Sequence, residues 1–255
     1  FLHDGNQMRR IVEAAAIEPG ELVLEVGAGT GALSEYLLDA GAQLVAVEMD
    51  RGLEPILQQR LASYGDRVTL LMGDVLTGKH QINPRVIEII QSEIQDPKSR
   101  FISFKLIANL PYNVASPLIA NLVCDYPQMS LAVVMIQREV AERLSASPGV
   151  KAYGPLGVLV QAMYHVEKIA TLGPSCFWPP PKVESQVVRL RRRDAPLTDD
   201  PAKLSRTLQR LFQRRRKQLG SILGRARPLP GGIDPTWRPE RLSVEQLIAL
   251  SNWLG

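Results

Sequence analysis

Leu22-Val23-Leu24-Glu25-Val26-Gly27-Ala28-Gly29-Thr30-Gly31 decides the reading of this chain. Five residues of strand character run into three alternate glycines, and a helix is expected from about residue 32 to residue 40. Glycine carries no Cβ, so a strand that enters a helix through such a loop lets the backbone approach a ligand closely. Free N–H groups at the start of that helix would suit a polar or anionic group.

Outward from this loop, strands and helices alternate. Upstream, Met8, Ile11, Val12 and Ala15 fall at helical spacing, which predicts a short amphipathic helix stopped near Pro19-Gly20. Downstream, residues 44–48 predict a second strand and residues 51–62 a helix. Residues 68–72 form a third strand ending at Gly73-Asp74, and residues 84–94 a helix. Residues 105–108 read as a fourth strand ending at Asn109, residues 117–124 as a helix, and residues 131–136 as a fifth strand. An apolar run at 156–164 and an alternating pattern at 183–190 predict two more strands, seven in all. This alternation predicts a parallel-rich α/β sheet. Arg191-Arg192-Arg193, then Pro196, Asp199, Asp200 and Pro201, mark a linker. Beyond it Leu204, Leu208, Leu211, Phe212, Leu219, Ile222 and Leu223 share one helical face. Ser243, with Gln246 three residues on, starts a last helix that runs to about Leu254. The expected domains are therefore 1–193, an α/β sheet, and 194–255, a small helical domain.

Composition narrows the function classes. The 255 residues are 45% hydrophobic and 22% charged, which excludes a disordered chain. No apolar run approaches the roughly 18 residues of a membrane span, and no signal-peptide pattern opens the chain, so no membrane association is expected. Cys124 and Cys176 are isolated, and His3, His80 and His165 lie far apart. Reduced thiols, no metal site and a cytoplasmic location are expected. The chain opens on Phe1 rather than Met, so upstream residues are expected. Net charge is only +4, yet residues 182–227 carry 14 basic against 4 acidic side chains, +10, which leaves −6 for the rest. An acidic body with a basic band fits a polyanionic partner, though a solvated helix face would have the same composition.

Glu48, at the end of the second strand, is spaced to accept hydrogen bonds from ribose hydroxyls. Asp74, at the end of the third, is placed to accept from a base amino group, or simply to close a turn after Gly73. The glycine loop also satisfies a dinucleotide fingerprint, so by itself it leaves NAD open. At the fourth strand end stands Asn109-Leu110-Pro111-Tyr112. An exocyclic base amine is a poor nucleophile because its lone pair is delocalised into the ring. Two acceptors aimed at its hydrogens, the Asn109 side-chain oxygen and the Leu110 carbonyl, would make it more pyramidal and reactive. Pro111 stiffens the turn, and Tyr112 offers a face on which a base stacks. An ordinary β-turn has the same composition. Phe177-Trp178-Pro179-Pro180-Pro181 reads as a rigid loop that holds an aromatic ring at fixed height.

Asn109 to Tyr112 resembles the motif of amino-methylating, S-adenosylmethionine-dependent methyltransferases. The longer pattern is similar to the ribosomal RNA adenine dimethylase family, and most like its small-subunit (16S) branch. It is carried by Phe1-Leu2-x-Asp4, the glycine loop, Ala46-Val47-Glu48-x-Asp50, Gly73-Asp74-Val75 and residues 109–117. Residues 135–143, Tyr153-Gly154-x-Leu156 and Phe177-x-Pro179-x-Pro181-Lys182-Val183-x-Ser185 extend it, so that it runs in register over about residues 1–192. The resemblance implies a Rossmann-like, seven-stranded class I methyltransferase sheet with a helical RNA-binding tail. It implies N6,N6-dimethylation of two adjacent adenosines near the 3′ end of small-subunit rRNA, within a pre-ribosomal particle, by a monomer. By matching position, Leu2, Gly27, Gly29, Glu48, Asp74 and Asn109 would contact the methyl donor. Asn109, Leu110, Pro111 and Tyr112 would hold the target adenine, and Phe177 would close over its other face. Two departures stand out: the Gln-Asn usual before Phe-Leu would precede Phe1, so one donor contact is unassigned, and Gly27-Ala28-Gly29 replaces the commoner Gly-Pro-Gly, a swap that should leave the loop intact. Arg206, Arg210, Arg214 and Lys217, at spacings of four and three, would track phosphates along one side of a helix. Three competing readings are a large-subunit (23S) rRNA methylase of the macrolide-resistance type, an NAD-dependent dehydrogenase, and a non-catalytic RNA-binding factor.

Overall fold

The computed structural model describes residues 2–78, 81–96, 101–224 and 228–254; Phe1, His80 and residues 225–227 of the basic stretch lie outside them. In chain order the described elements are α1 (Gly5–Ala15), β1 (Leu22–Val26), α2 (Ala32–Asp39), β2 (Gln43–Glu48), α3 (Glu54–Leu61), β3 (Val68–Met72) and α4 (Pro84–Gln95). There follow β4 (Phe104–Asn109), α5 (Tyr112–Asp125), β5 (Met129–Gln137), α6 (Arg138–Leu144), α7 (Pro155–Met163), β6 (Tyr164–Leu172) and β7 (Ser185–Arg192). The tail holds α8 (Pro201–Phe212), α9 (Leu219–Leu223) and α10 (Val244–Trp253). Among the described residues no helix is long and apolar enough to cross a membrane.

One seven-stranded sheet runs β3-β2-β1-β4-β5-β7-β6. Strands β1 to β5 are parallel, and β7 lies antiparallel between β5 and β6. Strand order reverses between β1 and β4, and at such a switch point the loops beyond the carboxyl ends part to leave a crevice. Both sheet faces are covered. Leu22, Leu24 and Val26 point with Leu106 and Ala108 to the face packed by α4, α5 and α7, whereas Val23 and Ile107 join Ile11, Leu37 and Leu57 on the other. The alternation follows from the two-residue period of a strand.

The tail shares the first of these cores. Leu204, Leu208 and Leu211 of α8 and Leu247 and Leu250 of α10 are fully buried, continuous with residues of β4, β5, α5 and α7. The Tyr153 hydroxyl donates to the Leu242 carbonyl at 2.9 Å, and its ring meets Phe212 edge-on at 6.2 Å. Ser243 and Gln246 form the expected capping box at the start of α10.

Three expectations are corrected. Residues 156–164 are not a strand but nearly all of α7, and the sixth strand is Tyr164–Leu172. Helix α7 is apolar almost all round because it lies between the sheet and the tail, with Pro155 favouring its first turn. Gly157 lets it approach α6: a Cβ there would stand 2.1 Å from the Arg143 carbonyl oxygen. Helix α5 starts at Tyr112, five residues before the expected Pro117, which sits inside it. Proline has no N–H, so the Asn113 carbonyl receives no bond from four residues on. Lastly, the long basic helix is broken. It stops at Phe212 and resumes at Leu219, where the Leu219 and Gly220 N–H groups donate to the carbonyls of Trp237 and Pro235, both at 2.8 Å.

Candidate active site

The ends of β1, β2, β3 and β4 converge on a cavity of about 380 Å³, lined by Gly27, Gly29, Glu48, Asp74 and Asn109. The lining continues through Leu110, Pro111 and Tyr112 and through Phe177, Pro179 and Pro181. Nine of the ten residues expected at the donor and adenine sites thus meet in one place. Leu2 stands just beside it. It lines a small adjoining cavity with Gly27, Gly29 and Asn109, and its backbone bridges Phe177.

The glycine loop is held shut by its own hydrogen bonds. The N–H groups of Gly27 and Ala28 both donate to the Val47 carbonyl, at 2.8 and 3.3 Å, and that of Gly31 donates to the Ala28 carbonyl at 2.9 Å. Gly29 N–H donates to Glu48 Oε2 at 2.8 Å, and Asp50 N–H to Glu48 Oε1 at 2.9 Å. Four N–H groups of the loop itself are therefore spent, and the expected free donors lie farther on, at the start of α2, which has no side-chain cap. Ala28 makes a contact that proline, lacking the donor, cannot make. Each Glu48 oxygen keeps lone-pair capacity for a ligand hydroxyl. Gly27 has a left-handed φ of +78°, and a Cβ on it would press on the Pro111 ring at 3.2 Å. The loop and the Asn109–Tyr112 junction are thus in direct contact.

Asp74 is exposed; its Oδ1 accepts from Leu76 N–H at 2.9 Å, which leaves Oδ2 for the cavity. Leu110 is fixed by its buried side chain and by N–H donation to the Met135 carbonyl at 3.1 Å. The first bonds of α5, from Val114 and Ala115, close on the Pro111 carbonyl. The Leu110 carbonyl therefore stays outside the helical ladder. Tyr112 is 39% exposed, and its hydroxyl lies 3.3 Å from Ser185 Oγ. Phe177 is 7% exposed, and its loop is pinned by His3 N–H donating to the Cys176 carbonyl at 3.1 Å.

Beneath the loop Glu25 is buried and accepts from Ser34 Oγ at 2.6 Å. Burial raises its pKa to about 8; the Ser34 hydrogen bond opposes this, and the nearby Glu48 charge adds to it. The sequence reading missed this acid as an individual group, although a glutamate in an otherwise apolar strand is the signal. It missed Lys105 likewise. Lys105 Nζ donates to the carbonyls of Ala15 and Ala16 at 2.9 Å and pairs with Glu21 at 2.7 Å, tying the end of α1 to β4.

Among the described residues the cavity is lined by two carboxylates and by no lysine, arginine or histidine. A pyrophosphate finds no cation among the described residues here, whereas a cationic nucleoside finds acceptors and apolar walls. The acceptor set thus fits a positively charged nucleoside better than a dinucleotide. Of the four basic residues, Arg206 and Arg210 lie exposed on α8, while Arg214 and Lys217 lie in the turn beyond its end. No single helix aligns all four, and none lines the cavity.

A family model described as ribosomal RNA adenine dimethylase matches residues 1–254. The "Ribosomal RNA small subunit methyltransferase A" of Thermotoga maritima is 36% identical over 250 residues, covering 98% of this chain and 81% of that one. A solved dimethyladenosine transferase from Plasmodium falciparum has a TM-score of 0.76 at 24% identity, over 98% of this chain and 95% of that one. A solved 23S rRNA methyltransferase, ErmE, has a TM-score of 0.70 at 22% identity, over 99% and 98%. These two structures share the fold.

Proposed function

The chain belongs to the ribosomal RNA adenine dimethylase family, and from that premise we propose how its cleft works and on which RNA. It is an rRNA adenine dimethyltransferase of the small-subunit type. Its substrate is two adjacent adenosines near the 3′ end of 16S rRNA, dimethylated at N6 within a pre-ribosomal particle in the cytoplasm, with the enzyme acting as a monomer. The observation that carries the cofactor reading is a cavity whose lining, among the described residues, has two carboxylates and no cation, and includes the Asn109–Tyr112 junction. S-adenosylmethionine, bound there, supplies an electrophilic methyl group.

Glu48 accepts from the ribose hydroxyls and Asp74 from the adenine amine of that donor; Leu2, Gly27 and Gly29 flank its amino-acid end. Asn109 borders both the donor and the target. Its side-chain oxygen and the Leu110 carbonyl accept the two N6 hydrogens of the target adenine. This localises the nitrogen lone pair and aims it at the donor. Tyr112 and Phe177 sandwich the everted ring. No side chain need act as general base, because an N6-methylated ammonium is strongly acidic and loses its proton to water. Residues 194–255 form the RNA-binding part, with Arg206, Arg210, Arg214 and Lys217 meeting phosphates from two separate segments rather than one helix face. The small-subunit assignment rests on the named relatives at 36% identity, since the likeness to the 23S enzyme extends to the fold alone.

The test is methyl transfer from tritiated donor to unmethylated small subunits, with primer extension across the candidate sites of both rRNAs. Asn109→Ala should abolish transfer while calorimetry still detects donor binding. Unchanged turnover in that variant, or tight binding of NAD alone, would overturn the assignment.

A further inference from the structure

We propose that Ser185 is a positioning residue that sets the orientation of Tyr112 and with it the width of the slot for the target base. The inference rests on the reading of Tyr112 and Phe177 as the two walls of that slot. Tyr112 is the first residue of α5; it is 39% exposed and lines the cavity. A half-exposed ring held only at its Cα exchanges rotamers on the ps–ns scale. Here the far end is tied as well, through the hydroxyl contact of 3.3 Å with Ser185 Oγ.

Ser185 makes a rigid anchor. It is 1% exposed and opens β7, where its backbone is paired with Gln137 of β5 on one side and Leu172 of β6 on the other. The loop that enters β7 at this residue carries Phe177, Pro179 and Pro181, which line the same cavity as Tyr112. One wall is therefore fastened to the root of the other. On the reading of these residues as two walls, this hydrogen bond ties Tyr112 to a loop that is itself held by Leu2 and by the His3 bond to Cys176. A planar base needs both faces met at stacking distance at the moment its amine attacks, so the tie should act on turnover rather than on donor binding.

A buried serine hydroxyl also needs a partner simply to be satisfied, and a role confined to stability would follow from that alone. The experiment separates the two roles. Ser185→Ala, Tyr112→Phe and the double variant are compared with wild type for turnover on unmethylated small subunits, for donor affinity by calorimetry and for thermal stability. The ring signals of Tyr112 are followed by NMR on protein carrying ¹³C-labelled tyrosine, assigned from Tyr112→Phe. One hydrogen bond is lost in each single variant, so kcat should fall about fivefold in both, with donor affinity unchanged. The double variant should lose no more than either single one, because the same tie is cut. The Tyr112 ring signals should shift and show faster motion in Ser185→Ala. The proposal is overturned if those signals are unmoved and kcat is kept, or if the two losses multiply. A wild-type enzyme inactive on small subunits would refute the assigned substrate instead, and the ring signals would still decide the role of Ser185.

Discussion

Gly27→Ala is the most informative single perturbation of the cleft. Two costs can be separated from the geometry. Alanine at φ +78° must occupy the left-handed region, at roughly 1–2 kcal/mol. Its Cβ would also meet the Pro111 ring carbons at 3.2 and 3.3 Å, tighter than ordinary packing. Overpacking of this kind adds about 1–3 kcal/mol, since the proline ring has no rotamer by which to yield. Gly149→Ala is the matched control: its φ is +86°, but nothing lies within 4 Å of the added carbon. It should cost only the first amount. At about 2–4 °C per kcal/mol for a chain of this size, Gly27→Ala should lower Tm by roughly 4–20 °C and Gly149→Ala by about 2–8 °C. The excess strain falls on Pro111, the residue joining Asn109 and Leu110 to α5. Donor Kd, measured by calorimetry well below Tm, should therefore rise at least about tenfold in Gly27→Ala and stay unchanged in the control. Equal Tm losses in the two variants, with donor affinity intact in both, would refute the claim that loop and junction are sterically coupled.

Three further outcomes are expected. Glu25 has a folded pKa of about 8 against an ordinary 4.5, so between those values the folded state holds a proton that the unfolded chain has released. Stability is then lost as pH rises through this window. Glu25→Gln should flatten that decline, gaining most over wild type at pH 8–9, and identical melting profiles from pH 5 to 9 would contradict it. Lys105→Met should cost roughly 3–5 kcal/mol by leaving the Glu21 carboxylate buried and unpaired, as denaturant unfolding will show. The double change Lys105→Met with Glu21→Leu should recover much of that loss, and no recovery would show that the pair is not the cause. Arg206→Gln and Arg210→Gln should each reduce the slope of log affinity for RNA against log salt by about 1, with donor affinity untouched; an unchanged slope would remove that side chain from the RNA contact.

Much of the fold and most of the cleft were legible because strand-end positions are defined by local pattern. Gly27, Glu48, Asp74 and Asn109 each follow an apolar run short enough to be a strand, and a parallel sheet brings successive strand ends together. Residues 156–164 were misread for a physical reason. A helix buried on all sides shows no amphipathic period, and its apolar run is indistinguishable from that of a buried strand. The break between Phe212 and Leu219 was hidden by an opposite effect. Leucine spacing stays helical across it, but the backbone bonds of Leu219 and Gly220 go to the 235–237 loop, a tertiary event with no local signature. The spent N–H groups of the glycine loop were equally invisible, since they depend on how β2 ends beside β1. The Ser185–Tyr112 tie spans 73 residues, and nothing in either neighbourhood announces the other.

The interior shared by α8, α10 and the sheet gives the molecule no hinge between its tail and its cleft. Arg206 and Arg210 are thereby held at a fixed offset from the Asn109–Tyr112 junction. With the roles proposed for them, the protein would work as a fixed-span gauge. It would test the contour of an RNA by whether a phosphate ridge and a loose purine can be presented at one set separation. Selection among many exposed adenines would come from that rigid measurement, with no need to read the letters around them.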